Sequence, residues 1–165
     1  MKKILIAYYT HSGNTEKIAE EIKEQTGGEL LKIEPEKEYP KAYALVVAQA
    51  KLEIMRNFTP KLKTEIPSLE NYDVIFVGTP NWWSTMAPPV KTFLTENNLK
   101  GKIVIPFYTH GGGGAGHIVK DMKNICPEAE FLKEFEAYGN GGSSLKANTV
   151  KWIENLKINR KKDIM

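Results

Sequence analysis

Thiol chemistry is nearly absent: Cys126 is the one cysteine in 165 residues. A single thiol can neither close an internal disulfide nor build a thiolate zinc cluster, so the chain needs no oxidising compartment to hold its shape, and a cytoplasmic setting is the expectation. No apolar run approaches the ~20 residues of a membrane helix. The start Met1-Lys2-Lys3 followed by Ile4 to Tyr9 imitates a secretory leader. The run gives out at Thr10 without a small-residue cleavage site, and so reads as a strand entering a loop. Charge of one sign is in short excess, 23 Lys and Arg against 20 Asp and Glu, which carries no expectation of nucleic acid or membrane as a partner. The one basic cluster, Arg160-Lys161-Lys162, falls in a tail, 159–165, expected to be solvated. Linker-like stretches and internal repeats are also missing, so residues 1–158 are expected to make a single domain. With 41% apolar residues, a chain of this length buries roughly 70% of its unfolded surface.

What is present is alternation. Apolar or β-rich runs at 3–10, 73–79, 102–109 and 131–138, with a weaker one at 29–34, are punctuated by Gly, Pro and Asn. Helical patterns lie between them: 15–25 with Ile18, Ala19 and Ile22 on one face, 39–58, Val90-Phe93-Leu94 after Pro88-Pro89, 116–124, and Val150-Ile153-Leu156. Strands alternating with helices predict an α/β fold, a parallel sheet with helices on both faces. The first, third and fourth runs are nearly continuous in apolar residues and are assigned to the middle; the second and fifth carry Glu and Lys and are assigned to the edges. With right-handed crossovers this gives a doubly wound five-stranded sheet of order 2-1-3-4-5, whose winding reverses beside strand one and opens a crevice at the strands' carboxyl ends. Pro106 cannot donate to a ladder, so irregular pairing is expected there.

Into that crevice the first strand delivers Thr10-His11-Ser12-Gly13-Asn14-Thr15 at a helix N-terminus, where backbone N–H groups lack partners and the dipole favours an anion. The hydroxyls of Thr10, Ser12 and Thr15 and the Asn14 amide are donors for phosphate oxygens, and Gly13 lets backbone approach closely. No Lys or Arg stands in the loop, unlike the phosphate loop of nucleotide hydrolases, so the pattern suits one terminal phosphate. The same residue types also make an ordinary helix cap, and the loop alone leaves both readings open.

From Thr10 to Glu16 the loop resembles the phosphate-binding signature of flavodoxins, matching at every fixed position. The similarity continues through Gly78-Thr79-Pro80-Asn81-Trp82-Trp83, Ala87-Pro88-Pro89-Val90 and Phe107-Tyr108-Thr109-His110-Gly111-Gly112, and covers nearly the whole chain. The resemblance implies a flavodoxin-like fold holding non-covalent FMN, with the phosphate at the first loop and the flavin between the loops after strands three and four. Thr79 to Trp83 and Thr109 to Gly113 with Gly116 are the expected ring-side residues. Two adjacent tryptophans after a strand are not both expected to turn inward, and at least one should be free to stack on a flat ring.

Gly111-Gly112-Gly113-Gly114-Ala115-Gly116 also satisfies G-x-G-x-x-G. That fingerprint belongs after the first strand of its unit, and His117-Ile118 replaces the Lys-Ser/Thr of a nucleotide hydrolase, so bare backbone facing the flavin's pyrimidine end is the preferred reading. Familiar small flavodoxins often place a Tyr here; without one, a ring face is left open to a quinone. Metal is not expected at His11, His110 and His117, because neither loop offers a carboxylate or thiolate. The implied function is electron transfer between a reductase and an acceptor protein. The alternative is an FMN-dependent NAD(P)H:quinone-type oxidoreductase, with a nicotinamide and a quinone as partners. Many flavodoxins are acidic, and this chain is slightly basic, which places the usual mode of partner docking in question.

Overall fold

Runs apolar on both faces are stable only where helices cover both sides of a sheet. The computed structural model describes residues 2–158, so the basic tail expected at 159–165 lies outside the described residues. Its central strands are β1 (Ile4–Tyr8), β3 (Val74–Trp82) and β5 (Ile103–His110). The edges are β2 (Glu29–Lys32) on one side and β6 (Glu130–Phe131) with β7 (Phe135–Tyr138) on the other. The order β2-β1-β3-β5-β6, with β7 also on β5, is the expected 2-1-3-4-5 arrangement with its last strand in two pieces. These pairings are parallel.

The period of two along each central strand divides the core between two helical layers. Ile4, Ile6, Tyr8, Phe76 and Phe107 pack with Ile18, Ala19 and Ile22 of α1 (Asn14–Thr26) and with Trp152 and Ile153 of α5 (Leu145–Leu156). Leu5, Ala7, Tyr9, Ile75 and Val77 pack with Val46 of α2 (Tyr43–Met55), Phe93 of α3 (Pro88–Glu96) and Met122 of α4 (Ile118–Ile125). Gly78 is required by this packing, since a Cβ there would lie 2.2 Å from the fully buried Phe107 ring. Among the described residues no helix is long and apolar enough to cross a membrane.

The split of the last strand has a local cause. The Val104 carbonyl accepts the Leu132 N–H at 3.1 Å and the His110 carbonyl accepts the Gly139 N–H at 2.8 Å, so alternate residues of β5 face the outer strand. Pro106 stands in that same row with no N–H to give, and the ladder stops between β6 and β7 at this point. The Lys133 carbonyl, freed from the sheet, accepts Trp152 Nε1–H at 2.7 Å instead. Towards β3, Pro106 keeps its place opposite Val77.

Cys126 closes α4, buried against α3 with its thiol directed at the Leu94 carbonyl. Burial pushes this thiol up to about 11. A raised pKa favours the protonated form, so its stabilising contribution is complete below the ordinary thiol range and is lost as pH rises towards 11. Native protein at pH 8 should therefore react with a disulfide reagent about a hundredfold more slowly than urea-unfolded protein, and faster with each step in pH. Equal rates in the two states would remove the structural role.

Candidate functional site

At the carboxyl end of β1 the chain turns through Thr10 to Gly13 and enters α1. Gly13 caps the helix in the left-handed region, φ 95°, and its N–H donates to Thr10 Oγ1 at 3.0 Å. This reversal lets the first N–H groups of α1, which have no intrahelical partner, face the crevice. Thr15 is buried, and its hydroxyl shares a 2.9 Å hydrogen bond with Thr109 Oγ1, tying the helix start to β5.

Beyond the sheet, β3 runs on as far as Trp82 and pairs antiparallel with β4 (Thr85–Met86). Thr79 is fully buried; its hydroxyl accepts the Ala87 N–H at 2.9 Å and donates to the Pro80 carbonyl at 2.8 Å. The turn between the strands is Trp83-Ser84, with φ of 53° and 67°, the double left-handed geometry of a two-residue hairpin normally given to Asn-Gly. Trp82 packs edge-on against Tyr39 at 5.0 Å, Tyr9 at 5.5 Å and His11 at 5.9 Å. Burial, followed by Glu53, raises the phenols of Tyr9 and Tyr39, so both stay protonated. Trp83 remains half exposed and donates Nε1–H to the Val47 carbonyl of α2 at 3.0 Å.

The glycine run after β5 is locked onto this hairpin. Asn81 Nδ2 donates to the Gly114 carbonyl at 2.7 Å, and the His117 N–H donates to the Ser84 carbonyl at 2.7 Å. Gly116, φ 51°, lies so close that a Cβ would meet Ser84 O at 2.4 Å. One carboxylate oxygen, Asp121 Oδ2, accepts from Thr85 Oγ1 and contacts His117 Nδ1, each at 2.5 Å. At the start of α4 the His117 N–H is thus taken by the Ser84 carbonyl and the Ile118 N–H by the Ala115 carbonyl. His110 is held from both sides: the Gly112 N–H points at Nδ1 at 3.0 Å and Glu136 Oε1 lies 2.8 Å from Nε2. The ring proton therefore sits on Nε2.

Between the three loops lies a cleft of about 510 Å³, in the range of small-molecule sites. Of the expected residues, His11, Ser12, Asn14, Pro80, Asn81, Trp82, Trp83, Thr109, His110 and Gly111 line it. Thr10, Gly13, Thr15, Thr79, Gly112, Gly113 and Gly116 stand outside its lining, several of them holding the loops in shape as described. Tyr43, Val46, Val47 and Ala50 of α2, and Gly139 after β7, line it without having been singled out. The helical pattern at 39–58 was visible; that this helix leans over the strand ends was not. Among the described residues no Lys, Arg, Asp or Glu lines the cleft. Neutral donors at a helix N-terminus fit a phosphate monoester, the first-turn Glu16 being engaged by Tyr8 Oη and Lys32, and the aromatic and apolar remainder fits a flat ring system.

The sequence profile of the flavodoxin family matches residues 3–156. The chain belongs to the flavodoxin family. This is an FMN-binding family, and the doubly wound sheet is its fold. A candidate flavoprotein from Bacteroides eggerthii DSM 20697 is 28% identical, covering 96% of this chain and 99% of its own, with a TM-score of 0.83. A flavoprotein from Lactobacillus acidophilus NCFM, solved in complex with FMN, is 25% identical over 93% of this chain and 99% of its own, with a TM-score of 0.76. A WrbA-like flavodoxin from Agrobacterium tumefaciens shares the fold at 14% identity, covering 95% of this chain and 100% of its own, with a TM-score of 0.60.

In this flavodoxin-family chain the two ring-side loops move as a unit if Asp121 clamps them. Asp121→Ala should speed hydrogen exchange at 82–86 and 112–117 and lower stability by about 1–3 kcal/mol, while Asp121→Asn, which keeps an acceptor, should restore most of the loss. Unchanged exchange in the alanine variant would show that the clamp is idle.

Proposed function

We propose that this chain binds FMN without a covalent bond in the three-loop cleft and carries electrons between a reductase and an acceptor protein, in a cytoplasmic setting. The observation that carries the reading is the cleft's polarity: a helix end with Ser12 and Asn14 at one side, aromatic and aliphatic walls at the other, and, among the described residues, no Asp, Glu, Lys or Arg in the lining between. When bound, FMN supplies one- and two-electron redox chemistry. Ser12, Asn14 and the first N–H groups of α1 hold its phosphate. Trp82 and Trp83, with Tyr43 and Val47 of α2, give the flavin an apolar bed that excludes water. The Gly112 N–H is already committed to His110, which leaves Gly111, the glycine of this loop that lines the cleft, to face the polar edge.

Two features support a carrier. The cleft has the volume of a single ligand site, and among the described residues its walls contain no Lys or Arg to grip the phosphates of a nicotinamide dinucleotide. The alternative, an NAD(P)H:quinone-type oxidoreductase, is supported by a different observation: a Cβ added at Gly111 or Gly112 would meet nothing within 4 Å, so this loop leaves room for a second flat molecule.

Titrating apoprotein with FMN and with riboflavin tests the binding reading. Ser12→Ala and Asn14→Ala should each weaken FMN by about tenfold, one charge-assisted hydrogen bond, and leave riboflavin unchanged; equal losses for both ligands would reject the phosphate assignment. Turnover separates the two functions. The carrier should be reduced in two resolved one-electron stages and should show negligible oxidation of NADPH by a benzoquinone without added reductase. Steady turnover in that mixture would make the protein the oxidoreductase.

A further inference from the structure

α2 is apolar on the face it turns away from the sheet. Val46 and Ala50 are buried, yet Leu45, Leu52 and Met55 keep 60%, 52% and 71% of their surface in solvent, and Ala48 is exposed beside them. Leu45, Ala48, Leu52 and Met55 succeed one another at three-, four- and three-residue steps. On a helix this spacing makes one narrow stripe, the seam along which two helices pack. Exposed apolar residues scattered singly need no explanation; a stripe at pairing spacing does. The seam's helix is also a wall of the cofactor cleft through Tyr43, Val46, Val47 and Ala50, and Trp83 is fastened to it.

Charge selects what covers the seam. On α2 and its C-terminal cap the seam is flanked by two bases, Lys51 and Arg56, and the same stretch holds a single acid, Glu53. Glu53 is engaged by Tyr39 Oη at 2.5 Å and Gln49 Nε2 at 2.9 Å. Lys51 stands 5.1 Å from the centre of the Trp83 ring. Two copies of α2 laid together would bring Lys51 and Arg56 of each to one seam, with the helix's own acid, Glu53, already engaged, which counts against a symmetric dimer. A bilayer is met by a broad apolar face, whereas this stripe is narrow, contains an alanine and is bordered by Lys51.

We propose that the seam of α2 docks an acidic redox partner, which lays along Leu45 to Met55 an apolar helix flanked by carboxylates. The partner's redox character rests on the electron-carrier reading above; the seam and its charge do not. Docked there, the partner sits on the far side of α2 from the cleft wall formed by Tyr43, Val46, Val47 and Ala50, about one helix diameter from a flavin bound in it.

The probe is a synthetic three-heptad helix with Leu at a and d and Glu at e and g, and a twin with Lys at e and g, titrated against apoprotein and FMN-loaded protein. The Glu peptide should bind saturably and more weakly as salt rises, and the Lys twin should bind at least about tenfold less tightly. Leu52→Asp, on an exposed position that touches neither core nor cleft, should cost about tenfold in peptide affinity and leave FMN affinity unchanged. Lys51→Glu with Arg56→Glu should reverse the preference between the twins. Equal binding of the twins, no binding, a concentration-dependent dimer abolished by Leu52→Asp, or binding to phosphatidylglycerol vesicles in place of the peptide would each overturn the proposal. Loss of FMN binding with peptide binding intact would remove the redox role and leave the docking surface; the reverse result would remove the docking surface alone.

Discussion

A helix that starts at the carboxyl end of a buried parallel strand has unpaired N–H groups, and water cannot easily reach them once the neighbouring loops close round. In this chain that constraint falls on α1. Gly13, in a backbone conformation L side chains rarely adopt, turns the chain so that the helix end opens on the reversal point of the sheet. The site's other parts are arranged around this electropositive end. Among the described residues the lining of the cleft holds no Asp, Glu, Lys or Arg, and the aromatic side chains lie a short distance from the helix end.

The ring-side loops solve a different problem, that of holding bare glycine backbone and a strained turn in a fixed shape. A left-handed conformation costs about 1–2 kcal/mol for each ordinary residue, and Trp83 and Ser84 carry two in succession. The Trp83 indole N–H bonded to Val47 and the His117 N–H bonded to Ser84 offset that cost from either side, with Gly116 giving the space for the second contact. The hairpin, α2 and the start of α4 consequently form one braced unit over the ends of β3 and β5.

Much of this was legible in the residues. The apolar runs of β1, β3 and β5 announced buried strands because a strand covered on both faces has no room for charge, and the Glu and Lys of the outer runs announced edges. The loop from Thr10 to Thr15 was readable because its chemistry is local. Three features were not. The Trp83-Ser84 turn carries none of the Asn-Gly signal that marks such hairpins, since tertiary bonds rather than intrinsic preference enforce it. The cleft wall of α2 was hidden because a helix with apolar residues on two opposite faces does not say which side meets the sheet. Pro106 foretold irregular pairing, but its direction, towards the outer strand and not towards β3, depends on which row of β5 it occupies.

That proline has an effect beyond local geometry. A sheet border offers any passing extended segment a row of unused donors and acceptors, and proteins blunt such borders with short or interrupted strands and lysines. Here the outermost strand survives only as Glu130–Phe131 and Phe135–Tyr138, with Lys133 in the interruption. The residue that spoils the ladder thus also shortens the border on this side of the sheet, which leaves a passing extended segment no continuous row to pair with.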